Sequence, residues 1–403
     1  MVSCAVCLIA LAPRSYGQRF ATLYNITGDL PVGLTDAKGV LYGATGGGGG
    51  NGPGSCGTVF ELLPPDARGG SWTPIVLYSF AFGFGSTDAC QPFAAPVVGA
   101  VGVIYGVTSQ GGANPPSDFG ALYAVQPPST PGGKWTENVP YSFGTPGTNV
   151  STPASNIVPG PAGSYYVLTT CGFTGPAALA QLLPPASPGG VWTATVLYSF
   201  PIDAPSGPPD SIVAGPNGVL YGTTSGGHEW GDVFQLTPPV SPGGAWTETL
   251  LHLFAAEAAV GDPIALTVAA DGTIYGTAYG FNHPFANGAS AIFQLTPPAA
   301  LGRQWTYTNL TTPTRAEHYN TPVVLVNGNL YGGITTGTGG SIFELQPPSA
   351  AGGAWTMTTL YTFTDGQIPS GNLVAGPHGT IYGTSAAAPG QPAGGTVFAL
   401  TME

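Results

Sequence analysis

Residues 211–254 read SIVAGPNGVLYGTTSGGHEWGDVFQLTPPVSPGGAWTETLLHLF and contain four short strand-like runs separated by turns. SIVA (211–214) is the first. It is followed by Gly215-Pro216-Asn217-Gly218, and an Asn-Gly pair between apolar runs is a strong signal for a tight hairpin. VLYGTT (219–224) is the second run, GDVFQL (231–236) the third, and WTETLLHLF (246–254) the fourth. The fourth alternates two faces and carries apolar residues on both, as strands sandwiched between neighbouring sheets do. Nothing in the stretch sustains a helical period.

The same phrase runs along the whole chain. Its L-Y-G-T-T part places Tyr42, Tyr105, Tyr166, Tyr221, Tyr275, Tyr331 and Tyr382 at one position. Its G-x-V-F-x-L-x-P-P part places Phe60, Tyr123, Phe234, Phe293, Phe343 and Phe398, with Ala180 in the aligned slot of the third copy. Its G-G-x-W-T part places Trp72, Trp135, Trp192, Trp246, Trp305 and Trp355. Four strands recurring every 50–60 residues or so match the size of one propeller blade.

The chain ends decide between a ring and an open stack. FATLYNI (20–26) matches the outer W-T-x-x-x-L-Y-S-F strand, and GTVFALT (395–401) is the strand that precedes it in every copy. An open solenoid has no reason to split one unit between its ends, whereas a ring locks itself that way and hides its sheet edges. The expectation is therefore an all-β, seven-bladed β-propeller of four-stranded antiparallel blades, closed by the N-terminal strand completing the last blade. The joint phrase L-Y-G-T-T-S-G-G, G-x-V-F-x-L-T-P-P and G-G-x-W-T-E-T-x-L-Y-S-F resembles the GloVer family of Gly-rich bacterial extracellular tandem repeats. That resemblance implies export, often with attachment to the cell surface through varied C-terminal anchors, and no established activity. The sequence departs from the pattern at its C-terminal run FALTME (398–403), which reads as a strand.

Composition fits an exported β protein. The 403 residues include 64 Gly and 42 Pro, only 6% are charged, and 43% are hydrophobic. Disordered chains show the opposite balance, and collagen would need Gly at every third position. The net charge is −12, and no two of the seven bases are neighbours. Phosphate backbones and anionic membranes call for clustered bases, so nucleic acid is excluded as a partner. Residues 1–17, with the apolar run AVCLIALA (5–12) and small residues before Gln18, read as a signal peptide lacking a basic start, which leaves 18–403 as one domain. No later stretch approaches the roughly 20 apolar residues of a membrane span. Cys4 and Cys7 would leave with the leader. Cys56, Cys90 and Cys171 fit no zinc or redox spacing, and a Cys56–Cys90 disulfide is the simplest pairing in an exported chain.

Features present in every copy read first as structure, so function is sought where copies differ. The loops between second and third strands, and those between successive blades, emerge on one rim. Three neighbouring rim segments are the richest: His228-Glu229-Trp230, Phe281-Asn282-His283 and Arg315-Ala316-Glu317-His318-Tyr319-Asn320. From them His228, Glu229, Trp230, Phe281, His283, Arg315, Glu317, His318 and Tyr319 form the candidate ligand site, since aromatic platforms with polar neighbours suit a sugar ring. No metal spacing and no cofactor motif is present. The leading expectation is a non-enzymatic propeller binding a glycan or an envelope protein. The alternatives are a carbohydrate-active hydrolase or lyase using Glu229 and Glu317, and a structural component of the envelope. The third copy, with Val167 after Tyr166 and Ala180 for the aromatic, reads as a decayed blade or a ligand cavity.

Overall fold

The computed structural model describes residues 17–47, 56–67, 70–81, 87–112, 119–145, 150–170, 176–187, 190–201, 207–225, 230–241, 243–254, 260–279, 289–300, 303–319, 321–337, 339–350, 352–388 and 394–402. Seven antiparallel sheets stand in a ring as a seven-bladed β-propeller. Blade 1 runs from the inner strand Pro31–Ala37 through Val40–Thr45 and Thr58–Leu63 to the outer strand Thr73–Ser79. Blade 4 repeats the order with Pro209–Ala214, Leu220–Thr224, Asp232–Thr237 and Thr247–Leu253. In blade 2 the inner strand is broken into Ala89–Pro92 and Val97–Val98, both paired with Ile104–Gly111.

Local chemistry fixes each blade. The first hairpin turns on two left-handed residues, Asn217 at φ 59° and Gly218 at φ 76°, which gives the twist that adjoining strands require. Lys38, Val101, Ala162, Asn327 and His378 occupy the same left-handed slot, each before a glycine. The glycine after the repeated tyrosine is a socket for the ring on the next strand. A Cβ built on Gly43 would lie 2.2 Å from the Phe60 ring, and one on Gly222 2.3 Å from Phe234. In blade 3 the two positions have exchanged bulk: Val167 sits directly across from Ala180, and both are fully buried. The blade has not decayed, because its larger and smaller side chains have traded strands.

Aromatic ladders join the blades. The Phe that follows an outer strand meets the ring in the third strand of the next blade: Phe80 on Tyr123 at 5.1 Å, Phe200 on Phe234 at 5.2 Å, Phe254 on Phe293 at 5.4 Å and Phe363 on Phe398 at 5.8 Å. The repeated Trp of blades 1, 3, 4, 5 and 6 leans on the repeated Tyr of the blade before it, as Trp246 does on Tyr166 and Trp305 on Tyr221. The ladder also crosses the chain ends, where Trp72 of blade 1 meets Tyr382 of blade 7 at 5.6 Å. The N-terminal strand Gln18–Thr27 pairs along Gly394–Met402, from Gln18 opposite Met402 to Thr27 opposite Gly394, and supplies the outer strand of the last blade. Asn372 of blade 7 completes the closure by accepting the Leu34 N–H and donating to the Leu34 carbonyl, both at 2.9 Å.

Two junctions show one position filled by different chemistry. Cys56 of blade 1 is disulfide-bonded to Cys90 at the start of blade 2. At the equivalent place Trp230 packs against Gly261, where an added Cβ would lie 2.5 Å from Trp230 Cβ. The backbone bond is the same in both: Gln91 N–H to the Cys56 carbonyl and Asp262 N–H to the Trp230 carbonyl, each 2.8 Å.

Candidate functional site

The rim residues singled out in the sequence divide in three ways. His228, Glu229, Phe281 and His283 lie outside the described residues. Trp230 and Tyr319 lie in the core, at 8% and 2% exposure. Trp230 fills the junction of blades 4 and 5, and Tyr319 packs on Phe343 with its rings at 5.8 Å, its hydroxyl pushed up in pKa by burial. Arg315 is exposed, with Glu317 and His318 half-buried behind it on the connection into blade 6.

His318 is tied in place. Its backbone bridges Thr335, its Nδ1 lies 3.2 Å from Ser290 Oγ, and its ring tilts over Tyr279 at 5.0 Å. Ser290 Oγ donates to the Tyr279 carbonyl at 2.8 Å, which leaves His318 Nδ1 to donate to Ser290. A serine that is fully buried and already donating to a carbonyl cannot serve as a nucleophile, so this pair anchors the loop.

The structure presents a different concave feature. A cavity of about 550 Å³ occupies the central channel, lined by residues in or beside the inner strands of all seven blades. Its wall is mainly aliphatic, with Val32, Ile157, Ile212, Ile264 and Leu266 joined by Phe93. Several of the polar side chains there hold strands together. Thr35 donates to the Pro96 carbonyl of the next blade, Ser211 pairs with Thr223, and Asn372 is engaged with Leu34. Thr267 repeats the Thr35 bond at the junction of blades 5 and 6, to the Val323 carbonyl.

Asp210 and the exposed Asn156 remain as polar groups on the channel wall. Burial raises the Asp210 carboxyl above its ordinary pKa, the Asp262 charge raises it further, and a hydrogen bond from Ser225 opposes both. Asp262 is 4% exposed and held at φ 52° just before Pro263. Sequence reasoning missed both acids. The signal was present, because Pro31, Pro209 and Pro263 each open an inner strand with an acid within two residues, namely Asp29, Asp210 and Asp262. Proline is tolerated at a strand start, and it there marks where the chain enters the channel. Among the described residues no group of three or more His, Cys, Asp and Glu could hold a metal ion, and no helix is long and apolar enough to cross a membrane.

Comparison with known proteins places this geometry. A family model described as the Gloeobacter/Verrucomicrobia repeat matches residues 183–398. A search of curated proteins found no match. Among solved structures, a polysaccharide lyase of family PL25, an ulvan lyase, is similar with TM-score 0.54 at 10% identity over 94% of this chain and 95% of its own. The same kind of lyase bound to -[GlcA(1-4)Rha3S]- gives 0.53. PorZ of Porphyromonas gingivalis, a surface component of the type-IX secretion system, gives 0.52 at 14% identity over 90% of this chain. The match spans 46% of PorZ, just under half of that protein. At these identities the likeness is one of fold.

Proposed function

We propose that this chain, a member of the Gloeobacter/Verrucomicrobia repeat family, is an extracellular or cell-surface propeller that binds an envelope glycan at the mouth of its central channel. The observation that carries this reading is the 550 Å³ cavity, whose aliphatic wall is interrupted by Asp210 and Asn156. Sugar rings have apolar faces and hydroxyl edges, and a site with a few fixed polar groups on an apolar wall suits them. The segment from Arg315 to His318 belongs to the connection from the outer strand of blade 5 to the inner strand of blade 6. Scaffold and variable loops divide the labour between them. The fold shared with a saccharide-binding lyase and with a bacterial surface component is in keeping with such a role.

The test is calorimetric titration of the purified protein with a panel of neutral and uronic-acid polysaccharides. Saturable binding is expected, and Ile264→Trp, which adds bulk to the cavity wall, should weaken it. Binding by no polysaccharide, or undiminished binding by Ile264→Trp, would overturn the reading.

A carbohydrate-cleaving enzyme is favoured by one observation. Asp210 is a carboxyl on the channel wall whose pKa burial and the Asp262 charge raise against a Ser225 hydrogen bond, the direction in which a general acid is tuned. Polysaccharide turnover that disappears in Asp210→Asn while binding persists would establish catalysis.

A further inference from the structure

The ring closes through a junction that lacks one of its rings. At four other junctions a Phe after the outer strand packs on the aromatic ring of the next blade, as Phe254 does on Phe293. The closing strand carries Ile26 in that slot, facing Phe60 of blade 1, with Tyr24 edge-on to Phe60 at 5.6 Å. Beside Ile26 lies a pocket of about 190 Å³ between blades 7 and 1. Tyr24, Ile26 and Phe60 form its apolar side, and Asp29, Thr45 and Ser79 its polar side.

Asp29 is the chemical centre of this pocket. It is 5% exposed, and its Oδ1 accepts the N–H groups of Leu30 at 2.7 Å and Gly47 at 2.6 Å. The Thr45 hydroxyl approaches the carboxyl as well, while burial pushes its pKa up. Oδ2 is buried and has no hydrogen-bond partner. No basic side chain lines the pocket. A desolvated carboxylate with an unmatched oxygen is most strongly complemented by a cationic N–H donor, and the electron-rich faces of aromatic rings also attract such a group.

We propose that the pocket where blades 7 and 1 meet binds a protonated primary amine carried by a small organic ligand. The ammonium donates to Asp29 Oδ2, and the carbon skeleton lies against Ile26, Tyr24 and Phe60. The volume suits a short aminoalkyl chain or one amino-sugar ring. Because Tyr24 and Ile26 belong to the N-terminal strand while Asp29 and Phe60 belong to blade 1, an occupant bridges the ring's closing seam. This site is separate from the central channel, so it stands or falls independently of glycan binding there.

The experiment titrates the whole protein with butylamine, glucosamine, glucose and N-acetylglucosamine, followed by NMR and by hydrogen exchange. Butylamine and glucosamine should bind saturably and slow amide exchange along Gln18–Thr27, whereas glucose and N-acetylglucosamine should do neither. Asp29→Asn should weaken amine binding at least about tenfold, the scale of one lost charge-assisted contact. Ile26→Phe should abolish binding while leaving the melting temperature of the unliganded protein unchanged or higher, which separates loss of the site from loss of the fold. Glucose binding as well as glucosamine, amine binding that survives in Ile26→Phe, or no saturable binding by either amine would each overturn the proposal.

Discussion

Val167 and Ala180 face each other across the two central strands of blade 3, where blades 1, 4, 5, 6 and 7 set a glycine against a phenylalanine. The exchange of bulk predicts a strong coupling. Ala180→Phe alone forces a ring against Val167 and should cost about 1–3 kcal/mol as overpacking. Val167→Gly alone removes a buried side chain from the same space and should cost a similar amount. The double substitution rebuilds the arrangement of the other blades and should recover most of the loss, which denaturant unfolding of all four proteins would read as a double-mutant cycle. Glu137 carries a second residue-scale prediction. Burial, and then the Asp88 charge beside it, raise its carboxyl from 4.5 to about 8, with the Ala89 N–H opposing them and the Tyr78 hydroxyl 3.3 Å from Asp88. Between those two pH values the native state keeps a proton that the unfolded chain has lost, so stability falls as pH rises through the window. Glu137→Gln should flatten that fall and melt higher than the parent at pH 8; an unchanged slope of melting temperature against pH would count against the assignment.

At the scale of turns and strands, what repeats was legible and what fills gaps was not. The Asn217-Gly218 hairpin, the Tyr, Phe and Trp rows and the split last blade could be read directly, because each is demanded several times over by the same packing. The repeated Tyr331 also donates to Glu344 on the neighbouring strand at 2.6 Å. Trp230 could not be read directly. Its neighbours on the rim made it look like a binding platform, yet it occupies the position that Cys56 holds in blade 1, and only register across a blade junction shows this. The first hairpin turn also makes a testable demand. Val101 stands at φ 52° where blade 4 has Asn217, and it is 89% exposed, so its side chain has little packing to lose. A β-branched residue is strained in the left-handed region, whereas Asn tolerates it. Val101→Asn should therefore stabilise the protein by about 1 kcal/mol in chemical denaturation, and a destabilisation would show that Val101 has packing which its exposure conceals.

Across the whole molecule, the channel and the closing seam are properties of the ring that no single repeat encodes. Asp210 reaches the channel because seven inner strands converge there, and the seam pocket exists because Ile26, near one end of the chain, meets Phe60 on the far side of a blade junction. The pairing of Gln18 with Met402 puts the ends of the described chain side by side, at the place where the other six blades carry a Pro-Pro loop between third and outer strands. This predicts the behaviour of two circular permutants in which residues 238–245 of blade 4 are copied to link Met402 to Gln18. One is opened within the equivalent loop of blade 3, which again leaves a blade shared between the two ends. The other is opened between blades 3 and 4, within residues 202–206, which makes every blade continuous in sequence and removes the shared one. Both preserve the same strand pairings, so their spectra and unfolding free energies should be close. Their kinetics should differ, because separating two complete terminal blades breaks only the packing between blades, whereas freeing a shared strand also breaks a ladder of backbone hydrogen bonds before the ring can open. The second permutant should unfold faster and lose its structure to protease sooner, and equal unfolding rates would mean that the split blade contributes nothing to the barrier.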